Sequence, residues 1–197
     1  MSATIGGAPR SIDIGCGMEK LPGSVGVDSN PRSHADVIHD LDVFPWPFES
    51  DSFDGARAFD ILEHVRDFNR AIEEIHRICK ADAIVLVRMP FGGGIHHMTD
   101  PTHRRGATHR TFDYFDPRSE LGRYRYSPVE LEVVSFRYER SWPVSRLGGF
   151  FKKLDTRLLP VIEKNALAYE LYFGGIYPMH NVYFDLRVKK SGRPSEP

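Results

Sequence analysis

The chain has 197 residues, of which 41% are hydrophobic and 27% charged, with two cysteines and a net charge of −1. That length and balance predict one globular domain and exclude a disordered chain, a collagen and a coiled coil. No apolar run approaches the ~20 residues that cross a bilayer. Residues 1–10 lack the apolar stretch of a secretory signal, and Cys16 and Cys79 make no disulfide framework, so a reducing, cytoplasmic setting is expected.

The first 90 residues read as short apolar strands joined by short connections. Strands are predicted over residues 10–14, 24–27, 35–39, 53–59 and 83–89, the fourth weakened by Gly55 and Arg57. Such runs suit a parallel sheet covered on both faces. One helix has a clean pattern. Asp67 is a plausible N-cap, Phe68, Ala71, Ile72, Ile75 and Ile78 share a face, and the helix ends near Lys80. Residues 91–128 are long for a connection and rich in His and Arg, which predicts a functional cover with short helices of its own. A strand over 130–138, two helical patterns over 148–159 and 161–173 separated by Pro160, and a last strand over 182–190 complete the chain.

The charge is unevenly placed. Residues 1–100 hold 9 Lys and Arg against 16 Asp and Glu, while residues 101–197 hold 17 against 11. The near-neutral total, a pI of about 6.8 and the lack of a Lys/Arg stripe argue against a nucleic-acid partner.

The strongest chemical signal is Ile12-Asp13-Ile14-Gly15-Cys16-Gly17 followed by Val25-Gly26-Val27-Asp28. A strand runs into a glycine turn, and the next strand ends in a carboxylate able to accept both hydroxyls of a ribose. A third glycine is missing, and the seven residues from Met18 to Ser24 leave no room for a helix whose N-terminus would hold a pyrophosphate. A nicotinamide oxidoreductase is therefore disfavoured. With Asp13, Asp28 and Asp40 nearby, the site suits a ligand that is not polyanionic.

These stretches, together with HDLD at 39–42, PWPFESDSFDGARAFDILEHV at 45–65 and EEIHRICKADAIVLVRMP at 73–90, resemble the class I S-adenosylmethionine-dependent methyltransferases of the type 11 group. The resemblance covers residues 10–117, and 130–190 in outline. It implies an α/β Rossmann-like domain with a seven-stranded mixed sheet in the order 3-2-1-4-5-7-6, S-adenosyl-L-methionine as cofactor, and methyl transfer. It places Asp13, Gly15, Cys16 and Gly17 around the methionine part, Asp28 at the ribose, Asp40 and Leu41 at the adenine, Phe59 and Asp60 at the methionine amino group, and His64 close by. Three features depart from the family pattern. The helix after the glycine turn is missing or vestigial, Lys80-Ala81-Asp82 replaces a Pro-Gly-Gly turn, and Arg57 stands in a strand position that is ordinarily apolar. A non-catalytic cofactor- or partner-binding module on the same fold is the second reading.

His96, His97, His103 and His109 fall close together beside Asp100, Arg104, Arg105 and Arg110. Three readings of this segment stay open. His103, His97 or His96 serves as general base, the segment is a polar cover without proton chemistry, or a metal site uses His96, His97, Asp100 or His103. The last ranks lowest because the spacing matches no standard zinc pattern, and no metal is expected. Arg104, Arg105 and Arg110 are candidates to grip an anionic group on a small polar or sugar-like acceptor. The aromatic stretch 142–180, with Trp142, Phe150, Phe151, Tyr169, Tyr172, Phe173 and Tyr177, reads as a helical pair packed on the sheet, or as a surface for self-association or lipid.

Overall fold

The structure, a computed structural model, describes residues 9–140 and 146–190, without the side chains of Arg146, Leu147 and Phe150. Trp142 lies outside the described residues. In chain order the elements are β1 (Ser11–Ile14), β2 (Val25–Asp28), β3 (Val37–Ile38), β4 (Phe53–Phe59), α1 (Phe68–Ile78), β5 (Cys79–Pro90), α2 (Ile95–Thr99), β6 (Glu130–Glu139), α3 (Arg146–Lys164), α4 (Ala166–Tyr172) and β7 (Asn181–Lys189). The seven strands form one sheet in the order β3-β2-β1-β4-β5-β7-β6. The first five pair in parallel, and β7 runs antiparallel to both β5 and β6. This is the expected sheet and order.

The sheet has one well-covered face. Ala56, Ala58, Val85, Val87, Phe184 and Leu186 are buried there beneath Ile72, Ile75 and Ile78 of α1, which starts where the Asp67 carboxylate accepts from Arg70 N. The segment 91–129 closes the same core. Phe112 is fully buried with its ring 4.8 Å from that of Phe184, and Phe115 and Ala107 are buried near it. Tyr138 of β6 and Phe91 pack against Tyr169 of α4.

The opposite face differs from the two-sided cover expected. Ile84 and Leu86 are 36% and 41% exposed, and Arg88, Tyr183, Asp185 and Arg187 share that side, half-buried. The cause is local. The connections after β1 and β2 are too short for helices. Their place is taken by the Lys20 side chain, which lies over Gly26 so closely that a Cβ there would meet Lys20 Cδ at 2.5 Å. Lys20 then pairs with Asp36, whose carboxylate also accepts from Gly26 N. Asp36 thereby helps reduce β3 to two residues, shorter than predicted.

Arg57 also finds its reason here. It sits opposite Asp13 in the β1–β4 register. Its guanidinium makes two bonds to the Asp13 carboxylate, at 2.8 and 2.6 Å, and a third to Glu19 O at 2.8 Å. Asp13 is 1% exposed and also accepts from Leu21 N. The pair thus ties the loop after β1 to the bare sheet face.

Two further boundaries move. Lys80-Ala81-Asp82 is part of β5, with Asp82 in the left-handed region at φ +60° and a register shift opposite 53–55. Pro160 lies inside α3, which runs through to Lys164. A proline removes one helical hydrogen bond, and the helix tolerates that loss here. The outer side of the helical pair exposes Leu171, Tyr172, Phe173 and Ile176. Among the described residues, no helix is long and apolar enough to cross a membrane.

Candidate active site

The glycine turn is built by backbone bonds before any side chain acts. Gly15 N and Cys16 N both donate to Val27 O, which folds the end of β1 over the end of β2. Gly15 sits at φ +66°, and a Cβ there would lie 2.4 Å from Ile61 Cγ1, so conformation and space both call for glycine. Gly17 N donates to Asp28 Oδ2 at 2.8 Å, and Asn30 N donates to Oδ1 at 2.8 Å. Each carboxylate oxygen keeps one lone-pair direction for a ligand.

These groups open onto a cavity of about 190 Å³ lined by Gly15, Asp28, Ser29, Asp40, Leu41, Asp42, Ile61, His64 and Val65. Among the described residues, three carboxylates and no Lys or Arg line it. Buried Leu41 and Val65 supply an apolar wall. This donor set fits a ligand with ribose hydroxyls and a positive centre, and disfavours a polyphosphate. Cys16 is buried, and burial, followed by the charges of Asp13 and Asp28, pushes its thiol up, away from reactivity.

Five expected residues, Cys16 among them, are not in the lining of this cavity. The Asp13 carboxylate is on Arg57 and Leu21 N, as described. Phe59 packs edge-on to Tyr183, with the Arg88 guanidinium 4.9 Å from its ring centre. Asp60 is held by Arg88 through two hydrogen bonds, Nε to Oδ1 at 2.9 Å and Nη2 to Oδ2. Gly17 supplies its N–H to Asp28 and is not among the cavity's lining residues.

Asp60 and Arg88 line a second cavity, of about 380 Å³, with Glu63, Pro90, His96, His103, Glu139 and Asn181. It opens at the carboxyl ends of β4 and β5, where ligands bind in open α/β sheets. Glu63 is 1% exposed and its Oε2 has no hydrogen-bond partner among the described residues. Burial pushes its carboxyl up to about 8. His103 places Nδ1 3.1 Å from His97 O and Nε2 3.9 Å from Glu63 Oε1. A carbonyl only accepts, so Nδ1 carries the proton and Nε2 keeps its lone pair. The His97 ring lies parallel to that of His103 with centres 6.0 Å apart, and His97 Nδ1 is buried without a partner among the described residues. His96 stacks on His180 at 4.4 Å.

The two cavities adjoin at one pair of rings. His64 lines the first and His103 the second, with their centres 4.7 Å apart. Burial, and then the charge of His103, lowers the pKa of His64.

The three arginines expected to grip an anion lie outside the lining of both cavities. Arg104 N donates to Glu63 O at 2.8 Å and its Nε to His64 O, which staples the segment 91–129 to the turn 61–65. Arg105 donates to Leu62 O, Val65 O and Arg66 O and stacks on Phe68. Arg110 pairs with Asp113, and His109 is held by Glu170, which also accepts from Tyr138 OH. Arg105→Ala is therefore expected to destabilise the protein by roughly 2 kcal/mol through loss of charged hydrogen bonds. Urea unfolding reads this directly. An unmoved midpoint together with a raised acceptor KM would return Arg105 to substrate binding.

Sequence reasoning missed Glu63, Arg88, Glu139 and Asn181. Glu63 stood beside His64 in LEHV, but only the approach of residue 103 shows that its side chain is enclosed. Glu139 and Asn181 reach the cavity because β6 and β7 end there, which no local pattern reveals.

Residues 12–87 match the family described as "Methyltransferase domain". No curated protein matches the chain. Among solved structures, the [4+2]-cyclase SpnF is 17% identical with a TM-score of 0.54, covering 95% of this chain and 77% of that one. A SAM-dependent methyltransferase from Archaeoglobus fulgidus is 18% identical with a TM-score of 0.51, covering 92% and 86%. Phosphoethanolamine N-methyltransferase 2 from Haemonchus contortus, in complex with S-adenosyl-L-methionine, is 16% identical with a TM-score of 0.53, covering 93% and 49%. At these identities the structural likeness speaks for the fold. A cyclase among these structures shows that the fold alone names no reaction. The match over residues 12–87 is to a methyltransferase domain, on a sheet with the class I methyltransferase strand order, and S-adenosyl-L-methionine is the cofactor that this match implies.

Proposed function

We propose that the protein methylates a hydroxyl group of a small, neutral, polyhydroxylated acceptor held in the second cavity. The observation that carries this reading is the junction of the two cavities at His64 and His103. A cofactor over Gly15 and Asp28 and an acceptor against His103 meet there. Bound in the first cavity, S-adenosyl-L-methionine supplies an electrophilic methyl on a positively charged sulfur. The chain's own residues do the rest. Asp28 accepts from the ribose hydroxyls, with Leu41 and Asp40 at the adenine. The Nε2 lone pair of His103 takes the acceptor's hydroxyl proton, while the His97 carbonyl fixes the His103 tautomer. His96 and Asn181 offer hydrogen bonds to the remaining hydroxyls. The cavity is rich in carboxyl groups, and its one guanidinium, Arg88, is neutralised by Asp60. These features favour a hydroxylated neutral molecule over an anion.

His103→Gln tests the reading. A general base contributes about 10²–10⁴-fold, so turnover should fall within that range while S-adenosylhomocysteine affinity stays within about threefold. The acid limb of the pH–rate profile should disappear. Normal turnover by a folded variant on its true acceptor would remove His103 from the chemistry.

A further inference from the structure

We infer that Glu63, His64 and His103 form a binding site for one divalent first-row transition-metal cation, of the zinc class, in the wall between the two cavities.

Each of the three offers a ligand atom, and these atoms lie within 4.8 Å of one another. Ligand bonds of ~2.0–2.2 Å to zinc require somewhat closer donors, so small side-chain shifts suffice to close the site. The hydrogen-bond network settles which ring nitrogens are available. Thr102 Oγ1 donates its single proton to Asp100 Oδ1 at 2.6 Å. At His64 Nδ1, 2.9 Å away, the same hydroxyl can then only accept. His64 therefore carries its proton on Nδ1, and its lone pair on Nε2. The His97 carbonyl imposes the same tautomer on His103. Both histidines are oriented through Nδ1 by outer partners and keep the Nε2 lone pair for a ligand, with His103 Nε2 3.9 Å from Glu63 Oε1.

The third group supplies an independent observation. Glu63 is 1% exposed, its Oε2 meets no donor among the described residues, and its Oε1 lies 3.9 Å from His103 Nε2. The nearby guanidinium of Arg88 is held by Asp60, and that of Arg104 by the His64 carbonyl. A fully buried carboxyl oxygen with no partner is expensive unless something cationic joins it. Two nitrogens and one carboxylate with further positions open suit Zn²⁺, Fe²⁺ or Co²⁺ better than Mg²⁺, which prefers oxygen. The spacing rule that ranked metal last could not see this site, because Glu63 and His64 are adjacent while His103 arrives from a different segment.

Binding of the ion does not depend on the proposed acceptor chemistry, although its use there does. An ion bound to Nε2 takes up the lone pair that would otherwise accept the proton, so His103 is the base only in the ion-free protein, and in the loaded protein the ion would instead lower the pKa of the acceptor hydroxyl. The test therefore reads binding, not turnover. The full chain, stripped with a chelator, is titrated calorimetrically with Zn²⁺ alone, and with Mg²⁺ for comparison. One equivalent of Zn²⁺ should bind, with little heat from Mg²⁺. Affinity should fall at least tenfold in His103→Ala and in Glu63→Gln, and not in His34→Ala, an exposed histidine outside the lining of both cavities. Circular dichroism checks each fold. Should Glu63→Gln fail to fold, the visible bands of Co²⁺ bound to wild type and to His103→Ala take its place, and the bands should be lost in the variant. The inference is overturned if wild type binds no Zn²⁺, if His103→Ala binds as tightly as wild type, or if His34→Ala loses as much affinity.

Discussion

Replacing Asp28 with alanine is expected to weaken S-adenosylhomocysteine binding by roughly 10- to 150-fold, equivalent to about 1.5–3 kcal/mol for hydrogen bonds to a charged group. The carboxylate has two duties. One lone pair on each oxygen orders the turn, through Gly17 N and Asn30 N, and the other is free to accept from a ligand. Asp28→Asn retains one accepting oxygen and should lose less than the alanine variant. Calorimetry on both variants, with circular dichroism to confirm an unaltered sheet, checks the result. Wild-type affinity in Asp28→Ala would exclude the carboxylate from the cofactor site.

The largest expected loss of stability comes from Arg57→Met. Removing one partner of a buried ion pair leaves the other charge uncompensated, at a cost of about 3–5 kcal/mol. Asp13 is 1% exposed, but the Arg57 side chain is 22% exposed, so the lower end of that range applies. The double variant Asp13→Asn/Arg57→Met removes both charges and should recover more than about 1 kcal/mol relative to additivity, since contacting residues couple. Urea unfolding of the two single variants and the double variant closes the cycle. A loss below about 1 kcal/mol in Arg57→Met would show that the pair does not secure the loop after β1.

The first cavity was largely legible in the sequence because its residues are close in the chain. A strand, a glycine turn and a second strand ending in Asp28 lie within 18 residues, and parallel pairing of the two strands brings the rest together. Asp13 shows the limit of that reading. The same motif suggested a place at the cofactor, yet its carboxylate faces Arg57, a neighbour created by strand register 44 residues away. The second cavity was legible only as a neighbourhood. His96, His97 and His103 signalled a functional cover, but the placement of Glu63 under His103 depends on the bond from Arg104 N to Glu63 O. The three arginines looked like an anion grip because sequence shows their charge and not the carbonyls and carboxylates that take up their donors. The two-sided cover failed for a related reason. Residues 83–89 are apolar enough for a doubly buried strand, but nothing in them reveals that, among the described residues, no helix covers the second side at Ile84 and Leu86.

The sheet order also bears on how the molecule is made. β7 is the last of the sheet's seven strands in chain order, yet it lies between β5 and β6. During vectorial synthesis β5 therefore waits with an unpaired edge, and β6 emerges with no neighbour to join. Residues 15–65, which build the cofactor cavity, can settle early around local parallel pairings. The acceptor cavity needs Glu139 and Asn181, so it closes only when the C-terminal strand is threaded into place. The nascent chain acquires its two binding halves in sequence, with the long-range β5–β7 pairing as the slow, aggregation-exposed step.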